Sequence, residues 1–188
     1  MTVLLNKLEL FFRALFYRTF GISYVYVSTL FCQTRTTIDS SFRRRVLAFP
    51  WWKYNSTYGR CSAGVPMSLI ILSQEGRHWD SVDYLCNELC HQDSTVYEAS
   101  EHALPFLLEL ARCKEHPSRL EITQLLSSFA FSTNPHNPGY EPLTDYELRI
   151  RQMLIENIPF FRSLEKDDNE ELANAARDTI AKLVTQSE

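Results

Sequence analysis

A proline-marked segment that occurs twice constrains the fold of this chain more than any other feature of its sequence. Residues 103–110 read ALPFLLEL, and residues 157–164, which lie 54 positions further on, read NIPFFRSL. A helix-pair repeat of about 40 residues accounts for this spacing if a loop is inserted, and residues 132–142, rich in Pro and Asn, supply that loop. The repeated segment therefore predicts a short α-solenoid of antiparallel helix pairs. A coincidental likeness of the two segments is the alternative.

The spacing of apolar residues predicts an all-α fold of about six helices. Only five of the 188 residues are glycine, and no alternation of apolar and polar residues persists beyond the first third of the chain, so a β-sandwich fits poorly. Apolar residues instead recur at intervals of three and four, as on the buried face of a helix. The predicted helices cover residues 67–72, 79–90, 96–111, 120–131, 145–164 and 170–184.

Local signals define the ends and the course of these helices. Thr95 with Glu98, and Thr144 with Glu147, have the spacing of a capping box, in which each side chain binds a backbone N–H at the start of a helix. Pro105 lies inside the 96–111 helix. It is expected to kink that helix, because proline has no N–H to donate.

Aromatic residues are expected to contribute to the core. The second predicted helix has one buried stripe, formed by Trp79, Val82, Leu85, Cys86 and Leu89. Trp51 and Trp52 are large aromatics for which burial is also expected. Tyr58 and Gly59 follow them and indicate a turn.

The sequence divides into an N-terminal extension, residues 1–45, and a helical domain of solenoid type, residues 46–188. A poorly ordered extension is the simplest interpretation of residues 1–45, and the arginine run 43–45 is interpreted as a solvated linker. The uncharged run over residues 19–32 is too short to cross a bilayer. No membrane partner is therefore expected, and a membrane contact through residues 1–45 is the less favoured alternative.

The charge is distributed unevenly. Residues 1–60 carry nine Lys and Arg against two acidic residues, a net charge of +7, whereas residues 61–188 carry ten against 21, a net charge of −11. An acidic domain repels the phosphate backbone of DNA and RNA and attracts a basic protein. Nucleic acid is therefore excluded as the expected partner, although an acidic surface is also a common means of keeping a protein soluble.

The five cysteines occur without a CxxC pair. This usage indicates a reducing compartment, and we expect a cytoplasmic location. Cys86 and Cys90, with His91 adjacent, have the spacing to present metal ligands on one helix face. Structural zinc normally takes four ligands, so buried free cysteine is the favoured interpretation, and neither a metal nor another cofactor is predicted.

Several short motifs resemble those of bacterial HEAT-repeat-like (armadillo-like) proteins over residues 48–130. The motifs are Pro50-Trp51-Trp52, Tyr58-Gly59, Val65-Pro66, His91-Gln92, Thr95-Val96-Tyr97-Glu98-Ala99-Ser100 and Ala103-Leu104-Pro105-Phe106-Leu107. His91, Gln92, Thr95, Pro105 and Phe106 are the structural positions of this pattern. The chain departs from it at Asp93-Ser94, where a single glycine is expected.

The resemblance implies a non-catalytic interaction scaffold, and some proteins of this kind are immunity partners of secreted bacterial toxins. An acidic solenoid suits a basic toxin domain, so a toxin-neutralising immunity protein is the specific expectation. The candidate contact residues are Asp93, Tyr97, Glu98 and Glu101, near the junction of two predicted helices. A general adaptor without a toxin partner is the alternative.

An enzyme is the least favoured class. The sequence has no HExxH, GxSxG, glycine-rich phosphate loop or EF-hand spacing. His91 with Glu98 or His102 offers the best candidate for acid–base chemistry. We favour the interpretation that His91-Gln92 caps the end of a helix and fills the turn that follows it.

Overall fold

The computed structural model describes residues 40–74, 79–91, 95–136 and 142–184. Over these residues the chain is mostly helical, which confirms the all-α prediction at this level. The helices are α1 (Ser40–Ala48), α2 (Gly64–Leu72), α3 (Trp79–Leu89), α4 (Glu98–Arg112), α5 (Arg119–Ser132), α6 (Asp145–Glu156), α7 (Ile158–Leu164) and α8 (Glu170–Val184), with a short 3-10 helix at Trp51–Lys53. No helix in this part of the chain combines the length and the apolar character that crossing a bilayer requires.

Two short antiparallel hairpins connect the helices. In the first, β1 (Asn55–Ser56) pairs with β2 (Gly59–Arg60), and in the second, β3 (Cys90–His91) pairs with β4 (Thr95–Val96). Gly59 has a φ angle of 109°, which glycine adopts without the strain that a side chain would add. The predicted turn at this position is therefore confirmed.

The second hairpin corrects the predicted start of α4. Thr95 is not a helix cap but lies in β4 opposite His91, which lies in β3 instead of capping α3. Tyr97 is the residue at the cap position, and its backbone N–H donates to Ser100 Oγ at 3.0 Å. The hydroxyl of Ser100 donates to the carbonyl of Leu89, so the same side chain joins the start of α4 to the end of α3.

The second predicted capping box is confirmed, but the helix it opens is shorter than predicted. The backbone N–H of Thr144 donates to Glu147 Oε2 at 2.7 Å at the start of α6. The predicted helix over 145–164 is interrupted at Asn157. Pro159 explains the break, because proline lacks an N–H and is tolerated in the first turn of a new helix, which here is α7.

The first described helix crosses the predicted boundary between residues 45 and 46. Phe42 and Val46 are buried, and Phe42 meets Phe106 edge to face with the ring centroids 5.5 Å apart. The three arginines at 43–45 are exposed, but they lie on α1, so the linker interpretation is wrong for this run. One terminal nitrogen of Arg45 donates to both carboxylate oxygens of Glu109 on α4, at 2.7 and 2.8 Å.

Two of the tryptophans expected in the core are exposed. Trp51 is buried, and its indole N–H donates to the carbonyl of Val46 at 2.8 Å. In contrast, Trp52 and Trp79 are 62% and 58% exposed. The burial predicted for these two side chains is therefore wrong, and their positions become candidates for binding.

The core is organised around α5, which contacts α3, α4, α6 and α8. Helix α2 packs on α3 and α4, α4 also contacts α6, and α8 also contacts α7. Four apolar residues at helical spacing on α5 are all buried: Ile122, Leu125, Leu126 and Phe129. One contiguous cluster of buried side chains extends from α1 to α8.

A buried histidine connects the end of α2 to the loop before α5. The ring of His116 is 4% exposed, its Nε2 lies 2.6 Å from the carbonyl oxygen of Leu72, and its Nδ1 accepts from the backbone N–H of Ser118 at 3.1 Å. The acceptor role of Nδ1 places the proton on Nε2, which then donates to Leu72. The ring therefore provides hydrogen-bond partners for two backbone groups at a buried position.

We expect His116→Ala to lower the free energy of unfolding by about 2–4 kcal/mol, because it removes two buried hydrogen bonds and leaves a cavity. Urea denaturation followed by circular dichroism measures the change. His136→Ala is the matched control, since His136 is exposed, and it should change stability by less than about 0.5 kcal/mol. Equal effects of the two substitutions would contradict the role given to His116.

Candidate protein-binding surface

Two of the three acidic residues predicted to contact a partner, Glu98 and Glu101, are engaged within the chain. Glu98 accepts from both the backbone N–H and the side-chain amide of Asn55, each at 3.0 Å. Glu101 forms a two-pronged ion pair with Arg149 of α6, at 2.7 and 2.9 Å. Tyr97 is half-buried at the start of α4, and Asp93, like Gln92, lies outside the described residues.

The two histidines considered for catalysis have different aromatic neighbours. His91 faces Tyr58 edge to face with centroids 6.1 Å apart, whereas His102 packs on Tyr54 and Phe49 with centroids 3.9 and 4.8 Å away. Burial lowers the pKa of His102 below its ordinary value, although the nearby charge of Glu101 opposes this. These rings serve as packing groups in the hairpin region.

The two cysteines and two of the motif residues singled out in the sequence differ in burial. Cys90 is buried, with its sulfur 3.3 Å from Ser132 Oγ, as the favoured interpretation predicts, whereas Cys86 is only half-buried. Pro105 is exposed on α4, while Phe106 is buried beside Phe42 and Trp51. Across the part of the chain that the structure describes, no three His, Cys, Asp or Glu side chains are grouped as metal ligands.

A different surface, formed by α3, α5 and α8, contains two adjoining grooves. The groove between α5 and α8 has a volume of about 540 Å³, and the groove between α3 and α5 has a volume of about 340 Å³. Gln124 and Ser128 line both grooves, so they form one continuous surface, which we call the three-helix face. Its lining residues are Trp79, Val82, Asp83, Cys86, Glu121, Gln124, Leu125, Ser127, Ser128, Glu171, Asn174, Ala175, Asp178 and Lys182.

Helical periodicity places these residues side by side. The positions on α8 follow the spacing 171, 174, 175, 178 and 182, and those on α5 follow the spacing 121, 124, 125 and 128. Residues three and four apart share one face of a helix. Each helix therefore turns one polar stripe towards the grooves while its opposite face packs into the core.

A hydrogen-bonded cluster lines the groove between α5 and α8. Lys182 Nζ and Ser127 Oγ both donate to Asp178 Oδ2 at 2.6 Å. Burial alone would raise the pKa of Asp178, but the hydrogen bonds from Lys182 and Ser127 and the charge of Lys182 outweigh it and lower that pKa. The ammonium group also lies 5.7 Å from the centroid of the Phe131 ring. This carboxylate is therefore ionised and held in a defined position at neutral pH.

The groove between α3 and α5 exposes an aromatic anchor beside acidic groups. Trp79 is 58% exposed at the start of α3, and Asp83, one turn further on, is exposed on the same lining. The carboxylate of Glu121 on α5 also lines this groove, but this residue is only 4% exposed. Exposed tryptophan within a concave surface is typical of positions that dominate binding energy in protein interfaces.

The three-helix face is negatively charged. Its exposed carboxylates are those of Asp83, Glu171 and Asp178, and they face the single ammonium of Lys182, which gives a formal surface charge of −2, while the carboxylate of Glu121 is buried. A concave surface of one sign concentrates the electric field and attracts groups of the opposite sign. The surface is therefore suited to a cationic partner.

Sequence reasoning missed this face because it followed the apolar positions. The polar residues of α8 at 171, 174, 178 and 182 have helical spacing in the sequence. That stripe could have been recognised as one exposed face, but its proximity to α5 and α3 depends on packing between distant segments.

The half-buried Cys86 should be more reactive than the buried Cys61 and Cys90. Burial, together with the negative charge of Glu88, raises the pKa of Cys61 to about 12, so its reactive thiolate is scarce at about pH 8. Cys86 lines the three-helix face and is half-buried. We expect iodoacetamide to modify Cys86 in the folded chain and to leave Cys61 and Cys90 unmodified, as measured by peptide mass mapping. In urea all three should react, and equal modification of Cys61 and Cys86 in the folded chain would contradict the placement.

Comparison with known proteins gives no relative from which a site can be transferred. No protein family, curated protein or solved structure matches the chain.

Proposed function

We propose that the helices form a short HEAT-like α-solenoid of three stacked pairs, α2 with α3, α4 with α5, and α6–α7 with α8. In this arrangement α2, α4 and α6–α7 form one layer and α3, α5 and α8 form the other. Contacts of α4 with α2 and α6, and of α5 with α3 and α8, support the two layers. The repeated segment also supports it, because Pro105 and Pro159 are both exposed while Leu107 and Phe161 are both fully buried.

We further propose that the chain is a non-catalytic protein-binding module that holds a basic segment of a partner against the three-helix face. The single observation that carries this proposal is the negative charge of a continuous concave surface with Trp79 exposed on it. Arginine and lysine side chains of a partner would pair with Asp83 and Glu171. Charge complementarity of this kind speeds association and selects the partner.

The specific form of the proposal is a cytoplasmic immunity protein that neutralises a basic bacterial toxin by direct binding. A toxin domain that acts on nucleic acid carries a basic surface for its substrate, and an acidic concave face can cover such a surface. A cytoplasmic location is consistent with half-buried free cysteines such as Cys86, which would remain reduced there.

The test combines partner capture with substitution of the three-helix face. The tagged chain is purified from its native cell after a moderate salt wash, and bound proteins are identified by mass spectrometry. We expect one stoichiometric basic protein, lethal when expressed alone and harmless when expressed with the chain. Two variants of the three-helix face should each weaken binding of this partner by about tenfold or more. One combines Asp83→Lys with Glu171→Lys and the other is Trp79→Ala, because charge pairs and exposed tryptophans dominate such interfaces.

Glu156→Lys with Glu165→Lys is the matched control. Both residues are exposed, at the end of α6 and just after α7, and the substitutions change the net charge by the same amount. This variant should retain the partner. Equal loss with both charge variants would show only a dependence on net charge and would reject the three-helix face. Absence of any protein partner would reject the binding function, and a partner that is not toxic would reject the immunity role.

A further inference from the structure

A second surface, which is positively charged, lies at the N-terminal end of the described fold. Residues 40–60 contain five Lys and Arg and no acidic residue. Helix α1 presents a shallow concavity of about 480 Å³ lined by Arg43, Arg44, Leu47 and Ala48. Leu47 is 54% exposed there.

An apolar pocket of about 230 Å³ adjoins this concavity and shares Leu47 with it. Its walls include Phe49, Trp51, Trp52, Ala63 and Pro66. A cavity of about 150 Å³ is large enough to hold benzene, so this pocket has room for one large apolar side chain. We call the concavity and the pocket together the α1 patch.

The α1 patch is held in place by contacts that leave its outer side chains at the surface. Trp51 is fixed by its bond to the carbonyl of Val46, and Phe49 packs on it with centroids 4.7 Å apart. Trp52 is 62% exposed on the rim, and Arg60 donates to its backbone carbonyl at 3.4 Å. The pocket thus has a buried aromatic floor and a rim that carries positive charge.

We propose that the α1 patch binds an acidic segment of a partner protein that inserts one large apolar side chain into the pocket. Charge complementarity with Arg43, Arg44 and Arg60 selects Asp and Glu in the segment. The concave pocket favours a protein segment over an anionic membrane, because interfacial membrane binding relies on apolar side chains that protrude into the lipid. This surface is separate from the three-helix face, and the proposal does not depend on the function assigned to that face.

The test selects peptides from a random library displayed on phage, using the immobilised full chain. We expect enrichment of peptides with a large apolar residue between Asp and Glu, which synthetic labelled copies then bind in solution. Leu47→Glu should weaken binding of these peptides at least about tenfold, since it places a like charge in an apolar contact. Leu148→Glu is the matched control, because Leu148 is 52% exposed on α6, and it should leave the affinity unchanged.

Two further variants separate shape from charge. Trp52→Ala should weaken binding through loss of the pocket rim, and circular dichroism checks that it remains folded. Arg43→Glu with Arg44→Glu should abolish the preference for acidic peptides, whereas Arg162→Glu with Lys166→Glu, which are exposed near α7, should preserve it.

Three results would overturn the proposal. One is the absence of enriched peptides, which would mean that the α1 patch is not open to a partner segment. Another is enrichment of peptides whose binding survives Leu47→Glu. The third is co-sedimentation of the full chain with phosphatidylserine-containing vesicles that Leu47→Glu abolishes, which would assign the α1 patch to a membrane surface.

Discussion

The burial of α5 among four other helices is the constraint on which the rest of the structure depends. A helix in this position must satisfy its polar side chains locally, because the neighbouring helices leave little room for water. Thr123, Ser132 and Thr133 each donate to the carbonyl four residues earlier, at 2.8 to 2.9 Å. Small hydroxyl side chains bonded in this way allow adjacent helices to approach closely without unsatisfied groups.

The same constraint defines the three-helix face. Among the central residues of α5, Gln124 is exposed and Ser128 is half-buried, and Phe131 continues this stripe towards the end of the helix. Positions 124, 128 and 131 follow helical spacing, so they form the side of α5 that none of the other described helices covers. The grooves on either side of this stripe exist because α3 and α8 pack against the flanks of α5.

Much of the fold could be predicted from local sequence, because local interactions determine it. The Thr144–Glu147 cap and the helix Glu170–Val184 depend on residues within one or two turns, and both were predicted. The pairing of β3 with β4 was missed, since Cys90 and His91 must meet Thr95 and Val96 and the sequence between the two strands has no strong hairpin signal. The exposure of Trp52 and Trp79 was also missed, because periodicity indicates which residues share a face and does not indicate whether another helix covers that face.

The candidate site could not be predicted, because it combines α3, α5 and α8, which only packing between distant segments brings together. The acidic residues chosen instead, near the start of α4, are engaged by Asn55 and Arg149, and these long-range contacts are not visible in the sequence.

The exposed and the buried positions of α5 are under different evolutionary constraints. Substitutions at exposed positions away from caps and buried networks typically change stability by no more than about 0.5 kcal/mol. Residues 124 and 128 can therefore vary in evolution while Ile122, Leu126 and Phe129 remain constrained by the core. A lineage carrying this scaffold can therefore change the three-helix face rapidly and still retain the same folded architecture.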